Sequence, residues 1–368
     1  MQGREFRDGA QDGLEALEPF DPEKVKSFSD LLVAMKKTAF GGRRLGEAFE
    51  VLTAMIEDRE CFVVLTLSGA MTIAKMGKII STMIDHGMIQ AIVSTGALIA
   101  HGLSESVGKT HYRYDPAMSD EELFHKGYNR VYDTLEMESN LNYVEHVMAS
   151  TLKRLDADQA LSSELLTREL GRTLVEEHHG TGILKSAYLK GVPVYIPAFT
   201  DSEMGLDVAT WSMGQQIDKV RSKVPTPDND LDALRQLHQT FPRFNPYHDL
   251  NSYTDRVLEA KRLGIFTIGG GVPRNWAQQA APYVEIGNVR MGLNVTPPRF
   301  HYGVRICPEP DYWGGLSGCT YTEGISWGKF VPPAEGGRFA EVLSDATVVW
   351  PLLMMGLLER LQAKKGSS

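Results

Sequence analysis

A lysine could do covalent chemistry in the stretch Thr322-Glu323-Gly324-Ile325-Ser326-Trp327-Gly328-Lys329. Lys329 follows an indole and a glycine, and Glu323 lies six residues upstream. Folded into a cleft, such an ammonium loses hydration, which lowers its pKa and frees the amine as a nucleophile. A Schiff-base lysine requires this. The same spacing also describes a surface lysine beside a packed tryptophan, because lysines are mostly exposed.

A second group of residues could hold a nucleotide. Leu263-Gly-Ile-Phe-Thr-Ile-Gly269-Gly270-Gly271 reads as a strand emptying into glycines, whose amides could face a pyrophosphate without interference from a Cβ. The pattern differs from Gly-x-Gly-x-x-Gly. Cys61 to Leu67 runs into Ser68-Gly69-Ala70, and Gln90 to Ser94 runs into Thr95-Gly96-Ala97, each an apolar strand, a small-residue turn and a helix. Taken singly, either turn is equally an ordinary tight connection. Val192 to Phe199 ends in Thr200-Asp201-Ser202-Glu203. A carboxylate just past a parallel strand can accept from a ribose diol, or it can cap the next helix. The pair His178-His179 gives no metal site, since neighbouring helical side chains point about 100° apart.

A sheet must position these turns at one edge. The repeated strand-turn-helix units predict an α/β fold: a Rossmann-like, mostly parallel central sheet with helices on both faces and an N-terminal helical arm. Residues 1–22 read as a flexible arm and 23–368 as a single domain, with insertions near 222–251 and 281–300. Helical spacing runs from Glu23 to Lys37, from Leu45 to Ile56, and from Glu138 to Glu177 with a break at Asp156-Ala-Asp158. Ser119-Asp-Glu-Glu122 caps a helix, Val224 to Leu231 is a loop before a helix at 232–240, and Val348 to Leu358 closes the chain as an apolar helix.

The 368 residues suffice for a full core, and 42% hydrophobic with 23% charged residues makes a soluble globular protein the expectation. A net charge of −9 argues against nucleic-acid binding and suits a cationic substrate. Cys61, Cys307 and Cys319 form no Cys-x-x-Cys pair, which fits reduced thiols in a cytoplasm. No apolar run reaches the ~20 residues needed to span a bilayer.

Glu323-Gly-Ile-Ser-Trp-Gly-Lys329 resembles the active-site lysine segment of the deoxyhypusine synthases. Further blocks resemble that family in the same order: the Ser68 and Ser94-Thr95-Gly96-Ala97 turns, Gly127-Tyr-Asn-Arg130-Val131, Thr200 to Asp207, Gly269-Gly270-Gly271-Val272, and Asp345-Ala346. The resemblance implies an NAD-binding catalytic domain in which Lys329 forms a covalent imine. It implies substrate contacts from Trp327, Glu323, Asn275 and Ser317. Cofactor contacts would come from Ser68, Thr95, Gly96, Asp201, Gly269, Gly270, Asp345 and Ala346. The implied reaction moves an aminobutyl group from a polyamine such as spermidine to an amine acceptor, in a homotetramer with active sites at dimer interfaces.

The chain departs from the family pattern at several substrate positions. Leu206, or Asp207 after a one-residue shift, falls where the family has a second aspartate; Asn275 replaces a histidine, and Trp313 and Leu316 replace polar residues. His101 follows the second cofactor turn where better-known members carry acids, and could contact a ligand or only pack. Arg130 could hold a helix or touch a ligand. Four readings are open: transfer to a protein lysine, transfer to a free diamine or agmatine as in homospermidine synthases, a non-catalytic NAD-binding assembly protein, and an ordinary dehydrogenase that releases reduced cofactor.

Overall fold

The computed structural model describes residues 6–156, 159–222, 230–240 and 242–366. The chain enters through α1 (Phe28–Lys36), where the Ser27 hydroxyl accepts the Asp30 amide at 3.0 Å, and α2 (Phe40–Glu57). Then come β1 (Cys61–Leu67), α3 (Gly77–Asp85), β2 (Ala91–Ser94) and α4 (Gly96–Ser106). A small antiparallel sheet follows, made of β3 (Tyr112–Arg113), β4 (Tyr128–Val131) and β5 (Thr134–Met137), with α5 (Asp120–Lys126) between its first two strands. α6 (Glu138–Leu152), α7 (Ser163–Glu177) and α8 (Ile183–Lys190) lead to β6 (Val194–Tyr195). α9 (Glu203–Gly214), α10 (Ile217–Arg221), α11 (Asp230–Leu237) and α12 (Pro246–Glu259) precede β7 (Arg262–Ile268). The last part holds α13 (Gly271–Ala277), α14 (Ala280–Met291), β8 (Phe300–Ile306), α15 (Tyr321–Ser326), β9 (Arg338–Val342) and α16 (Ala346–Gly366).

The main sheet is parallel throughout, in the order β6-β2-β1-β7-β8-β9. Counted along the chain, its six strands stand 3-2-1-4-5-6, the doubly wound order. The topological switch therefore falls between β1 and β7, which pair from Cys61↔Arg262 to Leu67↔Ile268. Side-chain alternation divides the core between the two faces. Val63, Leu65 and Leu67 point to the face covered by α2, α3 and α16, whereas Val64 joins Ile265, Tyr195, Tyr253 and Phe330 on the other. Burial of each such side chain stabilises the fold by about 1.5–3 kcal/mol. Trp350 of α16, fully buried with its ring edge-on to Phe266, is the largest single anchor.

Several local expectations change. Pro22–Lys24 forms only a 3-10 turn, so the first helix starts at Phe28. The strand expected over 192–199 shrinks to two residues because Pro193 and Pro197 lack the amide a ladder needs. The 281–300 insertion is largely the helix α14, and the helix expected at 232–240 is α11. Arg130 holds α5: its Nε and Nη2 donate to Asp120 at 2.7 and 2.8 Å, across the Tyr114 ring. Within the arm, the Glu18 amide donates to the Lys37 carbonyl at 3.0 Å. Residues 157 and 158 of the expected turn, and 224–229 of the expected loop, lie outside the described residues. No helix among the described residues is long and apolar enough to cross a membrane.

Candidate active site

Lys329 is placed by the end of α15. Thr320 caps that helix, its hydroxyl accepting the Glu323 amide at 3.1 Å. Gly328 ends it in the left-handed region (φ 67°), so that the Gly328 amide donates to Ile325 O at 2.9 Å and the Lys329 amide to Gly324 O at 3.1 Å. This paired closure turns the chain sharply, and a Cβ would strain it. The Lys329 carbonyl then accepts the Phe300 amide at 3.0 Å, fixing the lysine backbone beside the entry of β8.

From that backbone the side chain reaches α13. Nζ donates to Asn275 Oδ1 at 3.2 Å and sits 5.9 Å from the centre of the Trp327 ring. Burial pushes the amine below its ordinary pKa. Cys319 opposes the shift, Arg274 adds to it and Glu323 opposes it. Trp327 is 64% exposed, and Glu323 is also exposed.

The glycine turn lies at the exits of β1 and β7. Gly269 is left-handed (φ 78°), and a Cβ there would collide with the Ser68 hydroxyl. The Gly270 amide donates to Ser68 Oγ at 2.9 Å, and Gly270 lies against Ser317. Glycine is thus required for three loops to meet at the switch point. One amide expected to face a pyrophosphate is already occupied by Ser68.

The other strand exits are more open. Thr95 precedes α4 without making a side-chain cap bond, and Gly96 lies against the Ser202 side chain. Ser202, not Asp201, caps α9: its Oγ accepts the Gly205 amide at 3.4 Å. Asp201 is exposed and makes no side-chain hydrogen bond or ion pair among the described residues, so capping does not account for it. Asp345, in contrast, caps α16 by accepting the Thr347 amide at 2.8 Å and hydroxyl at 3.0 Å, with Ala346 buried behind it. β6 and β9 are opposite edges of the sheet, five strand spacings or roughly 24 Å apart, so Asp201 and Asp345 do not converge.

Three polar groupings were not read from the sequence. His101, His111 and Glu136 come together, with possible ligand atoms within 4.8 Å of one another. His111 Nε2 is 2.6 Å and His101 Nδ1 3.3 Å from Glu136 Oε2, and the Asn140 amide donates to Oε1 at 2.9 Å. The Lys75 ammonium occupies His111 Nδ1 at 2.8 Å, which places the imidazole proton on Nε2, directed at the carboxylate. Burial favours the protonated carboxyl, but His101, His111 and Asn140 outweigh it and hold Glu136 at about 2. His101 is thereby explained as a partner of a buried carboxylate. On α9, Asp207 is pushed up to about 6 by burial, by Glu145 and by Glu203 one turn away. Arg274 is buried beside the lysine. All three groupings join residues far apart in the chain, and only Arg274, a charge inside Gly-Gly-Gly-Val-Pro-Arg, could have been noticed by eye.

The expected residues therefore fall into four groups: Lys329, Trp327, Glu323 and Asn275; Ser68, Gly269, Gly270 and Ser317; Thr95, Gly96 and Asp201; and, at the β9 edge, Asp345 and Ala346. Lys329's backbone stands at the entry of β8 and Gly269 at the exit of β7, separated by a seven-residue strand, roughly 20 Å. A cavity of about 770 Å³ opens beside α15 between Arg305, Tyr312, Thr322 and Glu341, and none of the expected residues lines it.

The parallel 3-2-1-4-5-6 sheet with ligand-type turns at its strand exits defines a Rossmann-like α/β protein. The deoxyhypusine synthase family model matches residues 30–225 and 230–357. A probable deoxyhypusine synthase 2 of Methanosarcina acetivorans is 32% identical over 343 residues, covering 92% of this chain and 88% of that protein. A deoxyhypusine synthase-like protein of Chlorobaculum parvum is 32% identical over 324 residues, covering 87% and 83%. The fold is similar to a crystal structure put forward as a deoxyhypusine synthase from Entamoeba histolytica, with TM-score 0.55 and 13% identity over 93% of this chain and 97% of that one. The chain belongs to the deoxyhypusine synthase family.

Proposed function

We propose that the protein is a deoxyhypusine synthase-like transferase that moves an aminobutyl group from a polyamine such as spermidine to an amine acceptor, with Lys329 as the covalent carrier. The observation that carries this reading is the half-buried Lys329 amine, depressed by burial, oriented by Asn275 and placed beside the Trp327 indole. A lysine in this setting is a nucleophile rather than a surface charge.

NAD fits the crevice at the switch point. The Asp201 carboxylate has no side-chain partner among the described residues and suits a ribose diol, while the α4 N-terminus with Thr95 and Gly96 suits a phosphate. Gly269, Gly270 and Ser68 allow close approach at the turn. When bound, NAD supplies a hydride acceptor and returns the hydride later.

Lys329 Nζ adds to the substrate carbon at the imine level, and diaminopropane leaves with the proton. An acceptor amine then adds to the same carbon and releases Lys329. Asn275 aims the amine by hydrogen bonding but cannot carry a proton at neutral pH. Trp327 lines the aliphatic chain and offers a cation–π face, Glu323 pairs with a distal ammonium, and Ser317 contributes a hydroxyl.

An imine must be kept from water. Trp327 at 64%, Trp313 at 69% and Leu316 at 52% exposure leave the lysine side open in one chain. Closure by a second copy, in a homotetramer with sites at dimer interfaces, accounts for these exposed apolar side chains. A small acceptor such as a diamine or agmatine is the second reading. It is favoured by Leu206 standing 60% exposed where an acid would hold an amine, with Glu203 and Asp207 offering carboxylates beside it.

The test is intact-protein mass after incubation with NAD and spermidine and trapping with borohydride. An aminobutyl adduct on the protein and none on Lys329→Ala is expected. Absence of any adduct with spermidine, diamines or agmatine, while NAD binds, overturns the transfer reading in favour of a binding protein.

A further inference from the structure

Two buried arginines hold the loop that joins β8 to α15. Arg305, 4% exposed, donates through Nη1 to the Ser317 carbonyl and through Nη2 to Glu341 at 2.8 Å. Arg274, 2% exposed, donates through Nη1 to the Cys319 carbonyl at 2.7 Å and more weakly to that of Leu316 at 3.4 Å. Their mechanical roles are alike, but their charge balance is not. Glu341 neutralises Arg305, whereas no carboxylate among the described residues pairs with Arg274.

Among the described residues, Nε and Nη2 of Arg274 find no hydrogen-bond partner, and its guanidinium lies 5.4 Å from the centre of the Tyr321 ring. An unpaired buried charge carries a desolvation penalty, which a glutamine bonding the same carbonyls would avoid. Loop anchoring alone therefore leaves the charge unexplained.

The neighbouring groups suggest what the charge does. Asn275, the next residue, holds Lys329 Nζ. The ionisable groups acting on Lys329 are Arg274 from α13, Cys319 from the loop and Glu323 from α15. Cys319 is itself pushed up by burial, so it stays a neutral thiol near neutral pH and supplies no balancing negative charge. Glu323 is exposed and screened by water.

We propose that Arg274 is a positioning residue of the lysine site: one nitrogen clamps the loop leading into α15, and its unbalanced buried charge, one residue from the Asn275 that holds Lys329 Nζ, disfavours a second cation there. This rests on the reading of Lys329 as the nucleophile.

The test needs neither NAD nor a polyamine. The full-length protein is reductively methylated with formaldehyde and a borane across a pH series, and the rate at Lys329 is read by peptide mass. In the natural protein the midpoint for Lys329 is expected below the ordinary 10.5. Arg274→Gln, which keeps a donor for the carbonyls, is expected to raise that midpoint by about one unit and slow labelling at pH 8 about tenfold. Arg274→Lys keeps the charge and is expected to restore the midpoint.

An unshifted midpoint in folded Arg274→Gln leaves Arg274 as a loop clamp only and overturns the proposal. If that variant does not fold, a Lys329 midpoint at 10.5 in the natural protein overturns it equally. A low, Arg274-dependent midpoint with no trapped adduct would sink aminobutyl transfer alone; an adduct with no Arg274 dependence would sink this inference alone.

Discussion

Lys329 Nζ and Asn275 Oδ1 meet at 3.2 Å across 54 residues of sequence, joining the end of α15 to the helix that follows the glycine turn. The contact links the proposed nucleophile to the sheet exit, so disturbances at either end should register at the amine. Asn275→Ala removes the one hydrogen-bond partner found for Nζ among the described residues. A misaimed nucleophile commonly loses about 100-fold in rate. The trapped adduct should form roughly 10- to 100-fold more slowly in single turnover, with NAD affinity unchanged. An equal loss of NAD affinity would show that Asn275 supports the glycine turn instead.

Gly328 supplies the left-handed residue that turns the chain toward Lys329. Gly328→Ala has open space for its methyl group but keeps the strained φ, at a cost of about 1 kcal/mol. A fall in Tm of a few degrees should accompany a larger loss in adduct formation, because the strain is released by moving Lys329. Thermal melts beside single-turnover trapping check this, and a loss confined to Tm would uncouple the turn from the amine.

The main strands were legible because parallel strands covered on both faces are apolar runs, as Cys61 to Leu67 and Leu263 to Ile268 are. The small sheet β3-β5-β4 was not, since Tyr112 and Arg113 are exposed and carry no alternation. β9 was missed for a related reason: Arg338-Phe-Ala-Glu-Val342 is short and mixed, and takes its place only by pairing with β8. At the site, the local motifs pointed to Lys329, the glycine turn and Asp201 as candidates. The Glu136 and Arg274 environments depend on contacts 25 to 45 residues distant, which periodicity does not report.

Glu136 should make the fold acid-sensitive. Burial opposes its ionisation, yet His101, His111 and Asn140 hold it at about 2, below the ordinary 4.5. Stability from a depressed carboxyl is complete above the unfolded value and is lost as pH falls toward the folded one, here from about 4.5 to about 2. The group accounts for about 3 kcal/mol across that window. Denaturant midpoints should fall steeply below pH 4.5 in the natural protein. Glu136→Gln should be weaker at pH 7 and flatter in acid; an unchanged slope would place the acid sensitivity elsewhere.

Asp207 reverses that sign and bears on amine selection. Burial first, then the carboxylates of Glu145 and Glu203, raise it to about 6 from 3.8. In this window the folded protein binds more protons than the unfolded chain, so this contribution to stability falls as pH rises from about 4 to about 6. The group is only half-buried, and solvent screening limits the effect to about 1 kcal/mol. Asp207→Asn should therefore stabilise the ligand-free protein slightly at pH 7.5. A cationic ligand favours the carboxylate, so polyamine binding beside α9 should release a proton near pH 6 in the natural protein and none in the variant. Calorimetry in two buffers of different ionisation enthalpy measures that release. Equal proton release from both proteins would place the bound amine away from α9 and leave Leu206 without acidic neighbours in substrate recognition.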